Sequence, residues 1–342
     1  MKNTYTTPTD FWQEREFGAK ITATFDFIGA HWRRLGKCLV YFALPGALLM
    51  GIGLGLLTNS MWNRMGTMMQ HTKQGQSVPP ESMSALGTAF NFQGLGLAFL
   101  GGTLAALLVV GTVYGYLRAR LRLPAAEPVT PAAVWQQMRA RLGRMLLVLA
   151  LGVGVYALVA GLASVVIVGL VAKGGGPSAG TIGTLVLLFM GLLVVLSYLG
   201  VVLSLYLPVL WLEDLGIFAA VGRCFQLVRG KWWSTLGLLL MSSLLQGVLG
   251  VVFIIPQYAV MLGKMLQLPG LGSDVLGLVA QTFYSVGLLF TYCIPLLALA
   301  FQYFNLAERR DSYGLRLLVS ELGQPAPAVA SQHYQPDEQG EY

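Results

Sequence analysis

The chain has 342 residues, 55% of them hydrophobic and 11% charged, with a formal net charge of +7. A soluble domain carries roughly 25% charged residues, so a mean hydropathy of +0.66 points to the bilayer and excludes disordered, collagen-like and disulfide-stapled classes. Cys38, Cys224 and Cys293 share no paired spacing, and His31, His71 and His333 lie far apart, so neither a metal nor a cofactor is expected.

The N-terminal stretch opens with Asp10 and Gln13 just after Pro8, a helix-start pattern. Phe17, Ile21, Phe25, Ile28, Trp32 and Leu35 then recur at helical spacing, with Lys20, Asp26 and Arg33 off that face. A helix over about 10–36 is too polar to span and is expected to lie among lipid headgroups, stripe down. Apolar segments follow at about Cys38–Leu57 and Gly94–Leu117, joined by an external loop over 58–93. The long aromatic and charged stretch before the first segment argues against a cleavable signal peptide.

Next, Thr130 and Pro131 open a second amphipathic helix over about 131–144, where Val134, Met138, Leu142 and Met145 form the stripe. It leads into apolar segments at about Met145–Ala172 and Ile182–Leu212, separated by a tight turn at Lys173–Pro177. A third such helix, over about 215–234, carries Phe218, Val221, Phe225, Val228, Trp232 and Leu236, and precedes segments at about Thr235–Leu262 and Val275–Asn305. Beyond Gly323 the chain turns to Pro, Gln and Ala, and residues 323–342 are expected to form a disordered cytoplasmic tail.

Each apolar segment reaches the roughly 20 residues needed to cross about 30 Å of hydrocarbon, and none contains Asp, Glu, Lys, Arg or His. Eighteen of the 22 Lys and Arg fall on one side of this arrangement, leaving Arg64, Lys73, Lys173 and Lys264 on the other. Basic residues are retained in the cytosol, so both termini are expected there. The fold class read from the sequence is all-α integral membrane: one domain over residues 1–322, with six transmembrane helices as three pseudo-repeats of amphipathic interface helix plus transmembrane hairpin.

Several features invite functional readings. Pro45, Pro208, Pro256 and Pro295 lie in four spans and are read as packing kinks. Small-residue pairs, Gly51 with Gly55, Ala98 with Gly102 and Gly111 with Gly115, license close helix contact. Gln246, Gln257, Gln281, Tyr284, Tyr292 and Gln302 concentrate in the last two spans and form a candidate polar cavity. Interhelical hydrogen bonding is the favoured alternative, since relays normally need intramembrane carboxylates or histidines. Arg33, Arg34, Lys37, Arg118, Arg120, Arg122, Arg139, Arg141, Arg144, Arg229 and Lys231 cluster on the inner face as candidate contacts for lipid headgroups or a partner. Glu213 and Asp214 form the strongest acidic set, read as an unpaired helix start.

The run from Tyr303 to Leu315, the opening Ile21–Phe27 and the stretch Arg223–Trp233 resemble recurrent pieces of a largely uncharacterised bacterial multi-pass family labelled glycerophosphoryl diester phosphodiesterase membrane domain. The resemblance implies a six-span inner-membrane module, sometimes joined to a phosphodiesterase barrel. This chain lacks the residues and length of that barrel, and Gly314 and Arg316 stand where one version of the closing motif is acidic. The expectation is therefore a non-enzymatic multi-pass protein of the bacterial cytoplasmic (inner) membrane, a scaffold or accessory module. Its expected partners are membrane lipids and other membrane proteins, not nucleic acid. The alternative is a transporter or channel for a lipid-like or amphipathic solute.

Overall fold

The structure, a computed structural model, describes residues 5–74, 91–173, 179–266, 268 and 270–322. Among these residues a 3-10 turn (Pro8–Asp10) precedes eleven α-helices: α1 Phe17–Lys73, α2 Phe92–Arg122, α3 Pro131–Arg139, α4 Leu142–Lys173, α5 Ala179–Leu203, α6 Tyr206–Leu212, α7 Ile217–Val228, α8 Trp232–Met265, α9 Asp274–Thr291, α10 Cys293–Asp311 and α11 Tyr313–Leu322. Six helical stretches, Phe17–Met69, Phe92–Arg122, Leu142–Leu162, Gly183–Leu212, Trp232–Met265 and Asp274–Asp311, are long and apolar enough to cross a membrane. The expected tail and the Lys173–Pro177 turn, after Lys173 itself, lie outside the described residues.

The first corrections concern α1. Asp10 closes the 3-10 turn by accepting from the Thr7 amide (3.0 Å), and the helix begins only at Phe17. It then runs unbroken for 57 residues, about 85 Å at 1.5 Å per residue, so the expected interface helix, first span and start of the 58–93 loop are one element. Nothing between Lys20 and Lys37 breaks a helix. Polarity there changes the surroundings and leaves the backbone ladder intact.

Small residues set the packing around α1. The helix runs antiparallel to α2 along a seam where Gly46 faces Ala105, Gly53 faces Ala98 and Gly101 faces Leu49 and Met50. A Cβ on Gly46 would sit 2.6 Å from the Ala105 amide nitrogen. On another side Gly51 and Gly55 meet Thr282 and Leu278 of α9, and Gly111 and Gly115 of α2 receive Met138 and Val134 of α3. Every small-residue pair singled out in the sequence thus lies in a tight helix contact.

The second stripe is therefore not a lipid-facing one. Val134, Met138 and Met145 are buried in the protein core, because the glycines of α2 leave room for them. In contrast, the outward face of α1 exposes Phe17, Phe25 and Trp32 while Lys20, Ala23, Thr24, Phe27 and His31 point inward. The α7 region behaves likewise, with Phe218, Phe225 and Trp233 exposed and Ala220, Cys224 and Leu227 buried. The second expected unit thus opens differently from the first and third.

Two of the four prolines interrupt their spans. Pro208 cannot donate to residue 204, and the chain breaks between α5 and α6; Pro295 cannot donate to Thr291, and the chain breaks between α9 and α10. Pro45 and Pro256 stay inside α1 and α8. Among the described residues the α4–α5 hairpin meets the remainder through α5 against α7 and α8 and through the start of α4, where Met145 enters the core and Arg144 reaches the Leu215 carbonyl. Leu158, Leu187, Val194 and many neighbours are exposed, an apolar surface that water does not tolerate and hydrocarbon does.

Candidate functional site

Ionisable side chains gather at the end of the bundle where α1 begins and α10 ends. Asp214, in the linker after α6, accepts from Arg118 of α2 (Nη2–Oδ1 2.9 Å, Nη2–Oδ2 3.0 Å) and from Arg141. The same arginines donate to the backbone carbonyls of Trp211 and Leu210, and Arg141 lies over the Trp211 ring. Arg144 donates to the Leu215 carbonyl (3.3 Å). Both paired guanidinium groups are buried, whereas the Asp214 side chain is 70% exposed.

Beside this lies a second node. Glu213 accepts from Arg223 of α7 (Nε–Oε1 3.0 Å, Nε–Oε2 3.1 Å) and from the Tyr303 hydroxyl (2.9 Å). Arg223 also holds Asp311 at the end of α10. The linker after α6, α7 and the distant end of α10 are thereby tied at one guanidinium, which neutralises two partly buried carboxylates. The reading of Glu213 and Asp214 as an unpaired helix start is corrected on both counts: both are paired, and Glu213 caps the end of α6 while α7 starts after Gly216.

A third set lies deeper. Lys20 donates to Gln302 Oε1 (2.7 Å), and Gln302 donates to Thr235 Oγ1 (3.0 Å). The Arg15 amide donates to Asn305 Oδ1 (2.8 Å), and its guanidinium donates to the Phe11 carbonyl (2.9 Å). Gln302 is thus a buried clasp between α1, α8 and α10. At the opposite end Lys264 donates to Asn59 Oδ1 (2.9 Å), Asn63 Oδ1 (3.1 Å) and Asp274 Oδ1 (2.6 Å). An open cleft of about 430 Å³ beside it is lined by Trp62, Gly66, Thr67, Leu268 and Ser273, among others.

The remaining sequence candidates scatter. Gln246, Gln257 and Tyr284 are half-buried, Gln281 is buried and Tyr292 is exposed. Gln302 is engaged by Lys20 and Thr235. Among the basic candidates Arg33, Arg34, Lys37, Arg122, Arg139, Arg229 and Lys231 are exposed. Arg120 is fully buried and donates to the carbonyls of Leu123 (3.0 Å), Pro124 and Glu127 (2.7 Å), shaping the loop after α2. Arg118, Arg120, Arg141 and Arg144 are thus engaged within the protein.

For Asp214, burial pulls the carboxyl upward, and the Arg118 and Arg141 guanidinium groups outweigh it, leaving it below the usual carboxylate range. A carboxyl depressed in the folded state stabilises the fold above its unfolded pKa of about 4, and this contribution is lost as pH falls through the lower folded value. An Asp214→Asn variant in mild detergent is expected to unfold at lower temperature than the parent at pH 7, and the gap should close below about pH 4. A gap unchanged down to pH 3 would show that the ion pair contributes nothing to stability.

Six helices with the length and apolarity of membrane spans define a multi-pass helical membrane architecture. A family of unknown function, DUF7544, matches residues 25–307, and the chain belongs to that family. The match does not carry the phosphodiesterase label that the short segments suggested. No curated protein and no solved structure matches.

Proposed function

We propose that the protein is a non-enzymatic scaffold or accessory module of the bacterial cytoplasmic membrane, with both termini in the cytosol and its inner face turned to anionic lipids and other membrane proteins. The carrying observation is the division of labour among cations. Glu213, Asp214 and Asp311 are each held by arginine, and Arg33, Arg34, Lys37, Arg122, Arg139, Arg229 and Lys231 remain as exposed charge. Each such residue near an anionic leaflet contributes about 1 kcal/mol of attraction. The three amphipathic openings, read as pseudo-repeats, would set these charges around the bundle. Transport is less favoured because Gln302 is consumed in a clasp and Tyr292 faces outward.

The test replaces those seven cations by glutamine and measures retained phosphatidylglycerol by native mass spectrometry, alongside uptake of an amphipathic dye into vesicles containing the parent protein. Retention should fall at least about tenfold, and uptake should equal that of empty vesicles. Saturable uptake above empty vesicles, or retention indifferent to the substitutions, would refute the proposal.

A further inference from the structure

The last described helix is a separate element that the apolar pattern of the sequence does not announce. Asp311 ends α10, Ser312 adopts a left-handed conformation (φ 53°) and turns the chain, and α11 follows at once. Glu308 caps the new helix, accepting from the amides of Gly314 (2.6 Å) and Leu315 (3.3 Å). Its inward side is defined by Gly314, packed against the Trp12 backbone and leaving no space for a Cβ, and by half-buried Leu317.

The other sides divide cleanly. At about 100° per residue, Leu315, Leu318 and Val319 fall within an arc of about 100°, and they are 59%, 50% and 60% exposed. Arg316 and Ser320, both exposed, occupy a different sector. The helix therefore presents one side to the protein, one to an apolar medium and one to water. That is the arrangement of a helix lying in a membrane interface.

Its depth supports the same medium. Arg309 just before it pairs with Glu14 (3.1 Å), three residues ahead of Phe17, and Asp311 is held by Arg223 of α7. Tyr313 packs on Trp12 with ring centroids 4.9 Å apart. These ties set α11 level with the exposed aromatics Phe17, Phe218, Phe225 and Trp233, the side chains that populate the headgroup region. The outward apolar face thus lies at the same end of the bundle as those exposed aromatics, so lipid covers it in preference to a soluble partner.

We infer that α11 is a membrane-surface helix whose Leu315, Leu318 and Val319 dip into the lipid interface beside the last span. The inference rests on the membrane reading of the six long helices. It is tested by site-directed spin labelling of the full chain in vesicles of phosphatidylethanolamine and phosphatidylglycerol. The buried native cysteines stay in place, and the unsubstituted chain serves as the labelling blank. Labels at Leu315→Cys, Leu318→Cys and Val319→Cys should favour oxygen over a water-soluble nickel chelate, whereas Arg316→Cys and Ser320→Cys should reverse that ratio. Uniform nickel accessibility at all five would overturn the inference by putting the helix in water, and inaccessibility of the three apolar positions to both reagents would overturn it by showing a protein partner. A label at Val248→Cys on the exposed face of α8 separates the failures. It reports oxygen contact if the membrane reading holds, whatever α11 does.

Discussion

Replacing Arg223 by leucine is expected to lower the stability of the folded protein by about 3–5 kcal/mol, one of the largest effects available to a single side chain here. The guanidinium lies between Glu213 and Asp311, and the two carboxylates are only 15% and 23% exposed. Removing it leaves two like charges facing each other with little water to screen them. Tyr303, which donates to Glu213, cannot neutralise either one. The measurement is thermal unfolding in mild detergent at pH 7. Adding Glu213→Gln and Asp311→Asn to the leucine variant should restore a substantial part of the loss, because the penalty is mostly unpaired charge. A loss below about 1 kcal/mol would mean that the node is solvated and contributes little, as surface pairs do.

The second large effect is steric. A methyl group on Gly53 would overlap the backbone of Ala98 where α1 and α2 cross, so Gly53→Ala must push two long, closely packed helices apart. Overpacking of this kind typically costs about 1–3 kcal/mol, and the upper end is expected because backbone atoms cannot rotate away. Gly96, on α2 close by in sequence, has open space where a Cβ would stand. There, alanine should be neutral or gain up to about 1 kcal/mol through helix propensity. Both variants are read in the same detergent melt. Equal behaviour of the two would show that the α1–α2 register is not the one described.

How much of this was legible in the sequence follows from which forces act locally. Apolar length is a local property, and all six long apolar segments reappear as helices of spanning length. Capping is local too: Thr130 accepts from the Ala133 amide at the start of α3 (3.3 Å), as the Thr130–Pro131 pair suggests. Glycine spacing announces close contacts without naming the partners. Gly111 and Gly115 face Met138 and Val134, which takes the second stripe away from lipid.

Long-range pairing was not legible. Arg118 meets Asp214 across 96 residues, Arg223 meets Asp311 across 88, and Lys20 meets Gln302 across 282. A count of charges per loop gives their side of the bundle and nothing about who pairs with whom. For the same reason the interhelical hydrogen bonding favoured for Gln302 could be anticipated, but its partners Lys20 and Thr235 could not. The signals that bear on these pairs are Asn305 at the end of an apolar run and two adjacent carboxylates directly after another, since polar groups at such depth need partners. The continuity of α1 is hidden for a different reason. A change from polar to apolar surface imitates an element boundary, although no residue there ends a helix.

The central claim is that the chain crosses the membrane six times, with the end that holds Arg118–Asp214 and Arg223–Asp311 in the cytosol. Cysteines placed at Arg139 and Arg229 on that end, and at Asn63 and Ser273 on the other, can be probed in intact cells with a membrane-impermeant maleimide. Labelling is expected at residues 63 and 273 in intact cells, and at 139 and 229 only after the membrane is permeabilised. Labelling of 139 and 229 from outside, or of all four alike, would contradict it.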